Sequence, residues 1–483
     1  MNQDNGGVIG KINTPTTLVA SGVWTLQDQF ESQSSSTWPL AFPQTTIANS
    51  CRFDSASNDY LNRSLSSGTG TTFTVSAWVK RSDNDKYVVL LSSGANSSND
   101  LDQIVVQTDG TFRAYSYTSG YTFHLTSSAL FRDVSAWYNF MFVYDSTNST
   151  SGDRARMYVN GSEITSFSAE VQPSQNTVSN YFNKNREHYI AGNLGSTDTG
   201  THYIAEYCFI DGQALTPSSF GAFNPITNIW EPIPYAGTYG TNGFRLDFGD
   251  SSALGADVSG NSNNFTVNNL TSVDQSTDTC SNNFAILNVL DGGTNGTFSE
   301  GNLKLVTASS GYATTRASIG VSTGKWYFEA KLISGNAEIG IITSDQDISN
   351  SDNPLGHSAN GYAYTSGGNK YNNNSNSSYG DSYTSNDIIG VALNLDDGQL
   401  FFYKNGTIQN SGTAAFSSLS SNTYHPAVSD DSGSSACTWE LNFGSPPYTI
   451  SSGNTDANGH GNFEYAVPSG YFALCTKNLS EHG

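Results

Sequence analysis

The sequence predicts an all-β protein: two β-sandwiches in tandem behind an extended or short-helical N-terminal arm. Three observations carry that prediction. Apolar and polar residues alternate with period two in many short runs, the pattern of a strand with one buried face. The runs recur at intervals of roughly 8 to 12 residues between turn-forming stretches, as in a sandwich. The chain also builds one hairpin twice: "RARMYVNGSEI" turns at Asn160-Gly161, and "DGQLFFYKNGTIQNSG" turns at Asn405-Gly406. A two-residue type I′ turn needs positive φ at both positions, which Asn and Gly tolerate. In each copy an apolar strand (Trp137 to Tyr144; Ile388 to Leu395) precedes a polar turn, a second strand and then Asn-Gly. Two sandwiches of related design account for the repeat.

Composition agrees. A chain of 483 residues suggests two to four domains at about 150 residues each. Hydrophobic residues are 36% and aromatic residues 12%, enough for sizeable cores, and the 47 Gly fit many turns. Charge is sparse and acidic: 20 Lys plus Arg against 42 Asp plus Glu gives −22. A nucleic-acid partner requires the opposite sign, to displace counterions from phosphate. No apolar run reaches membrane-spanning length, and "MNQDNGGVIGK" lacks the pattern of a secretory signal. The five cysteines (Cys51, Cys208, Cys280, Cys437, Cys475) include no C-x-x-C pair, which argues against zinc. Their odd number suits reduced thiols in a protein folded in a cytoplasm.

The elements then follow in order. Residues 1–44 form an arm whose Trp24, Leu26, Phe30 and Trp38 cannot bury themselves alone. They are expected to dock on a partner, or to lie on the first domain. Residues 45–224 carry the first set of strands: "TFTVSAWVKR", "YVVLLSS", "DQIVVQTDGTFRAYSYTSGYTFHL", "AWYNFMFVYD" and "HYIAEYCFIDGQAL". In "TFTVSAWVKR", Phe73, Val75, Ala77 and Val79 share one face and Trp78 takes the other. Residues 225–290 are rich in Pro and Gly and are expected to bridge. Residues 291–450 form the second sandwich, with "GKWYFEAKLI", "AEIGIIT", "DIIGVALNLDDGQLFFYKNG" and "TWELNFG". Residues 451–483 are a tail expected to pack on it.

These stretches carry a family resemblance. "TFTVSAWVKR", "AWYNFMFVYD" with "RARMYVNG", and "YIAEYCFIDGQAL" resemble the laminin-G/concanavalin-like jelly roll. "GKWYFEAKL", "IIGVALNLDDGQLFFYKNG" and "LNFG" resemble the SPRY domain, with Asn394 where that family often has Asp. The joined order of "FIDGQALTPSSFGAFNP", "NGFRLDFGDSSALG" and "PSGYFALCTKNL" resembles virion proteins of tailed bacteriophages, especially marine ones. That resemblance implies a virion protein made in the bacterial host cytoplasm and released by lysis. Its arm would dock to other virion proteins. Its sandwich loops would meet host surface, glycan or protein, as a tail fibre or receptor-binding protein does. A homo-oligomer, trimeric by analogy, would add avidity. The rival role is a capsid or tail decoration protein bound to neighbouring virion subunits, and a polysaccharide depolymerase comes third.

Concanavalin-like folds include glycosidases, which need two carboxyls about 5 to 5.5 Å apart when retaining. The E-x-D-x-x-E string is absent, and Glu329 and Glu338 belong to different strands. No H-E-x-x-H, G-x-S-x-G or phosphate-binding loop occurs. The expectation is a non-enzyme. Calcium is the one cofactor with a case, at Asp247, Asp250 and Asp257 first and at Asp345, Asp347 and Asp352 as the alternative, because hard cations want several oxygen ligands. For binding, the Tyr-, Ser-, Asn- and Gly-rich stretches offer rigid aromatic area beside small hydrogen-bonding groups. They nominate Tyr115, Tyr117 and Tyr121, and Tyr371, Tyr379 and Tyr383 as exposed loop residues. Tyr362 and Tyr364 alternate as strand residues that pack, and Trp78, Trp137, Trp326 and Trp439 are expected in or near cores.

Overall fold

Strand Thr72–Arg81 lies at the centre of a sheet because both of its edges find partners: Trp137–Asp145 on one side, His202–Asp211 on the other. A computed structural model describes residues 46–96, 100–194, 199–225, 227–292, 295–348 and 353–483. The arm residues Trp24, Leu26, Phe30 and Trp38 lie outside the described residues.

That sheet runs Ser162–Glu163, Ala155–Val159, Trp137–Asp145, Thr72–Arg81, His202–Asp211, Ser50–Phe53, Gln275–Ser276, with Phe244–Leu246 paired to His202–Asp211 off this path. A second sheet faces it, ordered Phe167–Val171, Tyr121–Leu130, Thr111–Tyr117, Asp100–Val106, Val88–Asn96, Glu187–Ile190, Tyr60–Ser64, Thr266–Asn268. Phe73, Val75, Ala77 and Val79 from the first sheet meet Val88, Ile104, Phe112 and Phe123 from the second in one buried core. The period-two pattern is therefore the inward face of a sandwich.

The second sandwich repeats the plan. Its hairpin sheet runs Thr407–Ile408, Gln399–Lys404, Ile388–Asn394, Lys325–Ser334, Thr438–Asn442, Lys304–Thr307, Gly296–Ser299. Counted from the Asn-Gly turn, the first three strands are consecutive in the chain, the fourth precedes them and the fifth follows them, in both sandwiches. The facing sheet runs Leu287–Gly292, Thr315–Ala317, Tyr424–Asp430, Ala337–Thr343, Gly361–Thr365, Asn369–Asn372, Ser375–Ser378. Trp326, Trp439 and Tyr364 fill the core between them.

The two turns match atom for atom. Asn160 and Gly161 have φ of 48° and 75°, and Asn405 and Gly406 have 47° and 77°. The Asn160 side-chain oxygen accepts the Asn139 N–H at 2.7 Å, and that of Asn405 accepts the Ile388 N–H at 2.9 Å. Each turn glycine lies under a downstream ring: a Cβ on Gly161 would come within 2.4 Å of Trp230, and one on Gly406 within 2.6 Å of Tyr465. The turn chemistry thus fixes the strand register and also makes room for the segment that follows.

The bridge expectation over 225–290 is corrected in two ways. Phe244–Leu246, Thr266–Asn268 and Gln275–Ser276 are strands of the first sandwich. Phe244, Leu246, Phe248, Leu254, Phe265 and Leu270 sit in its core. Pro and Gly in this stretch mark turns between short strands; they do not mark a free linker. The tail strand Phe472–Ala473 adds in parallel to Lys325–Ser334, and Phe463 and Cys475 pack with Tyr327 and Phe284.

The sandwiches meet along a polar seam. Arg52 is fully buried there. Its guanidinium donates to Val273 O at 3.1 Å and Pro446 O at 3.5 Å, and pairs with Glu300 at 3.2 Å and Asp274 at 3.5 Å. Lys80, also fully buried, donates to Asp278 and to the Asn283 side-chain oxygen, both at 2.7 Å, and to Phe284 O at 3.3 Å. Tyr203 donates to Gly301 O at 3.0 Å, Asn302 donates to Ser82 O at 2.6 Å, and the Ser276 and Ser445 hydroxyls meet at 2.6 Å.

Buried acids set the sign of the pH dependence. Burial raises the Asp59 carboxyl to about 7; Asp274, Asp54 and Glu300 push the same way, against one hydrogen bond from the Asp54 N–H. Burial likewise holds Glu329 at about 7, against four hydrogen bonds that favour the anion. A carboxyl raised in the fold contributes stability that is complete below its unfolded value of about 4 and is lost as pH rises to the folded value. Between about pH 4 and 6.5 the half-buried His124 and the buried His188 and His202, each lowered to about 4, oppose this loss, so thermal melts should fall from about pH 6.5 to 8, where the carboxyls act without them. Asp59→Asn, which keeps an acceptor for the Asp54 N–H, should flatten that fall; an unchanged slope would contradict the assignment.

Candidate binding face

The hairpin of Thr111–Tyr117 and Tyr121–Leu130 turns one face outward. Phe112, Ala114 and Ser116 point inward and are buried, so Arg113, Tyr115 and Tyr117 point out. Register sets Tyr115 opposite His124 and Tyr117 opposite Tyr121. The rings form one cluster. Tyr121 stacks on His124 at 4.3 Å between centroids and meets Tyr117 edge-on at 4.9 Å and Tyr115 edge-on at 6.2 Å. Arg113 lies over the Tyr115 ring at 4.2 Å and donates to the Tyr121 hydroxyl at 3.1 Å. Tyr115 donates to the Gln103 side-chain oxygen at 3.3 Å.

Tyr121 is 42% exposed and Tyr115, Tyr117, Arg113 and His124 are half-buried. Burial, then Arg113, lowers His124 to about 4, so it is neutral near pH 7. Burial lifts Tyr115 to about 12, so its hydroxyl stays protonated. The face is a fixed aromatic platform with one cation. Such a platform can stack on a sugar ring or an apolar side chain while hydroxyls and a guanidinium hydrogen-bond around it.

The structure thus places Tyr115, Tyr117 and Tyr121 together, on strands and not in a loop, with only Tyr121 exposed. The other three do not join them. Tyr379 and Tyr383 are core residues, at 7% and 4% exposure. Backbone hydrogen bonds from Tyr379 and Gly380 to Gly368, and from Tyr383 to Ser366, fold their loop back over the hairpin. The rings enter the sandwich, and the Tyr383 hydroxyl donates to Ala337 O and Tyr364 O, both at 2.9 Å. Tyr371 is half-buried beside Gly356, its hydroxyl on Asn374 at 3.0 Å. Composition alone missed Arg113, His124 and Gln103. Counting hairpin register across Ser119-Gly120 finds the first two, but Gln103 needs the neighbouring strand.

The calcium expectation is corrected. Asp247 accepts the Gly249 N–H, and Asp250 accepts the Ser252 N–H and hydroxyl. Asp257 accepts from the N–H groups of Arg245, Ser259 and Asn263. These carboxylates close turns. Among the described residues no group of three or more His, Cys, Asp or Glu is placed to hold a metal ion.

Glu329 and Glu338 are both fully buried, on strands of opposite sheets. Glu329 accepts from the Glu464 and Tyr465 N–H groups at 2.9 Å and from the Tyr327 hydroxyl at 3.1 Å. Burial raises Glu338 well above the carboxylate range, and Asp431 beside it is raised as well.

Residues 54–199 match the model of the concanavalin A-like lectin/glucanases superfamily, and residues 325–445 match the SPRY domain. No curated protein matches the chain. Among solved structures, the chain is similar to the SPRY domain of human HERC1 at 19% identity, over 32% of this chain and 96% of that one, with a TM-score of 0.28. It is similar to stonustoxin at 20% identity, over 33% of this chain and 27% of that one, with a TM-score of 0.28. The chain carries a concanavalin-like domain followed by a SPRY domain, a pair of folds that points to binding or adhesion.

Proposed function

We propose that the chain is an adhesion protein of a tailed-bacteriophage virion, of tail-fibre or receptor-binding type, that holds host surface glycan. The observation that carries the reading is the outward cluster of Tyr115, Tyr117 and Tyr121 with Arg113. Its own ring and guanidinium contacts, with His124 and Gln103 behind them, fix it before any ligand arrives, so little ordering entropy opposes binding. Adhesion needs no catalytic group, and copies on one particle turn a weak single site into firm attachment. The arm anchors the chain to other virion proteins. The order of the domains and the closing motifs, which resemble marine phage virion proteins, support the setting.

Purified protein should compete with phage for adsorption to host cells. Tyr117→Ala/Tyr121→Ala should weaken that competition at least tenfold, about 1.4 kcal/mol or more, as for a pair of central aromatic contacts. Its melting temperature should stay near that of the wild type, because Tyr121 is exposed and Tyr117 half-buried. Affinity should be flat from pH 5.5 to 8, since His124 stays neutral there. No competition at a saturating dose overturns the reading, and binding to purified virions in place of cells would favour decoration.

A further inference from the structure

Lys80 lies on the outer face of strand Thr72–Arg81, where the alternation alone would leave its ammonium in water. It is instead fully buried, because residues 278–284 close over it. Its Nζ meets three atoms of that segment: Asp278 Oδ2 at 2.7 Å, Asn283 Oδ1 at 2.7 Å and Phe284 O at 3.3 Å. An amine, a side-chain amide and a carboxyl thus share one dry site. Those are the three groups that exchange of one amide for another requires.

The amide is held the right way round. Its Nδ2 donates to Ser135 O at 2.8 Å, so Oδ1 is the atom that faces Lys80. With a C=O bond of about 1.23 Å, Asn283 Cγ lies no more than about 3.9 Å from Nζ. The carboxyl is fixed as well. The Trp137 indole N–H at 3.0 Å and the Phe284 N–H at 3.3 Å both donate to Asp278 Oδ1, which turns Oδ2 to the amine. The buried Tyr203 ring closes a further side, its centroid 5.7 Å from Nζ. Asn283 is half-buried and lines, with Trp137 and Lys477, a cavity of about 480 Å³. Ile229, also on its wall, is 62% exposed.

We propose that Lys80 and Asn283 join in an isopeptide bond that the folded chain forms by itself. Asp278 takes one proton from the ammonium, the neutral amine attacks Asn283 Cγ, and the Nζ–Cγ bond forms. Asp278 gives its proton to Nδ2 and takes the second from Nζ. The Cγ–Nδ2 bond breaks, and ammonia leaves through the cavity with the remaining proton as ammonium ion. Holding the reacting atoms together supplies the rate that the same groups lack in solution. The bond closes a loop over 203 residues and ties the central strand of the first sandwich to the segment that enters the second. It follows folding, so a newly folded chain still carries the ion pair of the seam. The proposal stands apart from the adhesion reading.

The test is the intact mass of the unfolded full chain, followed by tryptic digestion. The wild type should weigh about 17 Da less than its sequence, the ammonia lost to the attacking amine. It should also yield a branched peptide that joins residues 64–81 to residues 246–304. Asn283→Ala, which keeps the Lys80–Asp278 pair and with it the fold, should show the full mass and no branched peptide. Lys80→Met combined with Asp278→Asn should do the same. A wild type of full mass, with Lys80 and Asn283 on separate linear peptides, overturns the proposal. So does a mass deficit that persists in Asn283→Ala, which would place the loss of ammonia at another asparagine.

Discussion

Lys80→Ala should lower the free energy of unfolding by about 3–5 kcal/mol, the cost of breaking a buried ion pair from one side. Lys80 comes from the central strand of the first sandwich, and its ammonium is spent on Asp278, Asn283 and Phe284 O. Removing it strands Asp278 at 1% side-chain exposure. That carboxylate would keep the Trp137 indole N–H at 3.0 Å and the Phe284 N–H at 3.3 Å, neither of which carries a full charge. Asp278→Asn added to Lys80→Met should recover most of the loss, because a neutral pair avoids the stranded charge. Urea titration of the three proteins checks this. A single-variant loss below about 1 kcal/mol would place the pair with surface ion pairs and contradict its role in the seam.

Arg52→Ala should cost a similar amount, about 3–5 kcal/mol, and should also change the shape of unfolding. The side chain reaches from strand Ser50–Phe53 to Pro446 O beyond the last hairpin-sheet strand of the second sandwich, and to Glu300 in between. Alanine leaves Glu300 and Asp274 near one another without their cation. Calorimetry of the wild type should give one transition, because the two cores share this seam. The variant should give two, each with part of the total enthalpy, since domains joined weakly unfold separately. Arg52→Lys should recover only a part, as an ammonium cannot span the same set of acceptors as a planar guanidinium. One cooperative transition in Arg52→Ala would show that the seam is held elsewhere.

Local signals carried the fold well. The alternation in 72–81 gave both the strand and its buried face, and the Asn-Gly turns gave the register of both hairpins. The sequence similarity of the two hairpins extended to a shared sheet order, which no local pattern contains. The stretch 225–290 reads as a bridge because strands such as Phe244–Leu246, Thr266–Asn268 and Gln275–Ser276 are only two or three residues long. Strands that short show no periodicity, and only partners far along the chain identify them. Tyr379 and Tyr383 read as exposed for a related reason: their neighbours are those of an exposed loop, but backbone bonds to Ser366 and Gly368 carry the rings inward. Asp247, Asp250 and Asp257 look alike to a cation and to a turn, and the N–H groups two residues on decide between them. Arg52 and Lys80, the two cations with the most at stake, gave no sign in the sequence. Their acceptors lie 198 to 394 residues away.

The most direct test of the account is a calorimetric titration of host envelope polysaccharide into the purified chain, beside Tyr117→Ala/Tyr121→Ala at matched fold and concentration. The account predicts saturable heat for the wild type and at least a tenfold weaker dissociation constant for the double variant, with both proteins melting at the same temperature. Equal affinities for the two proteins would contradict it, since binding would then owe nothing to the aromatic face.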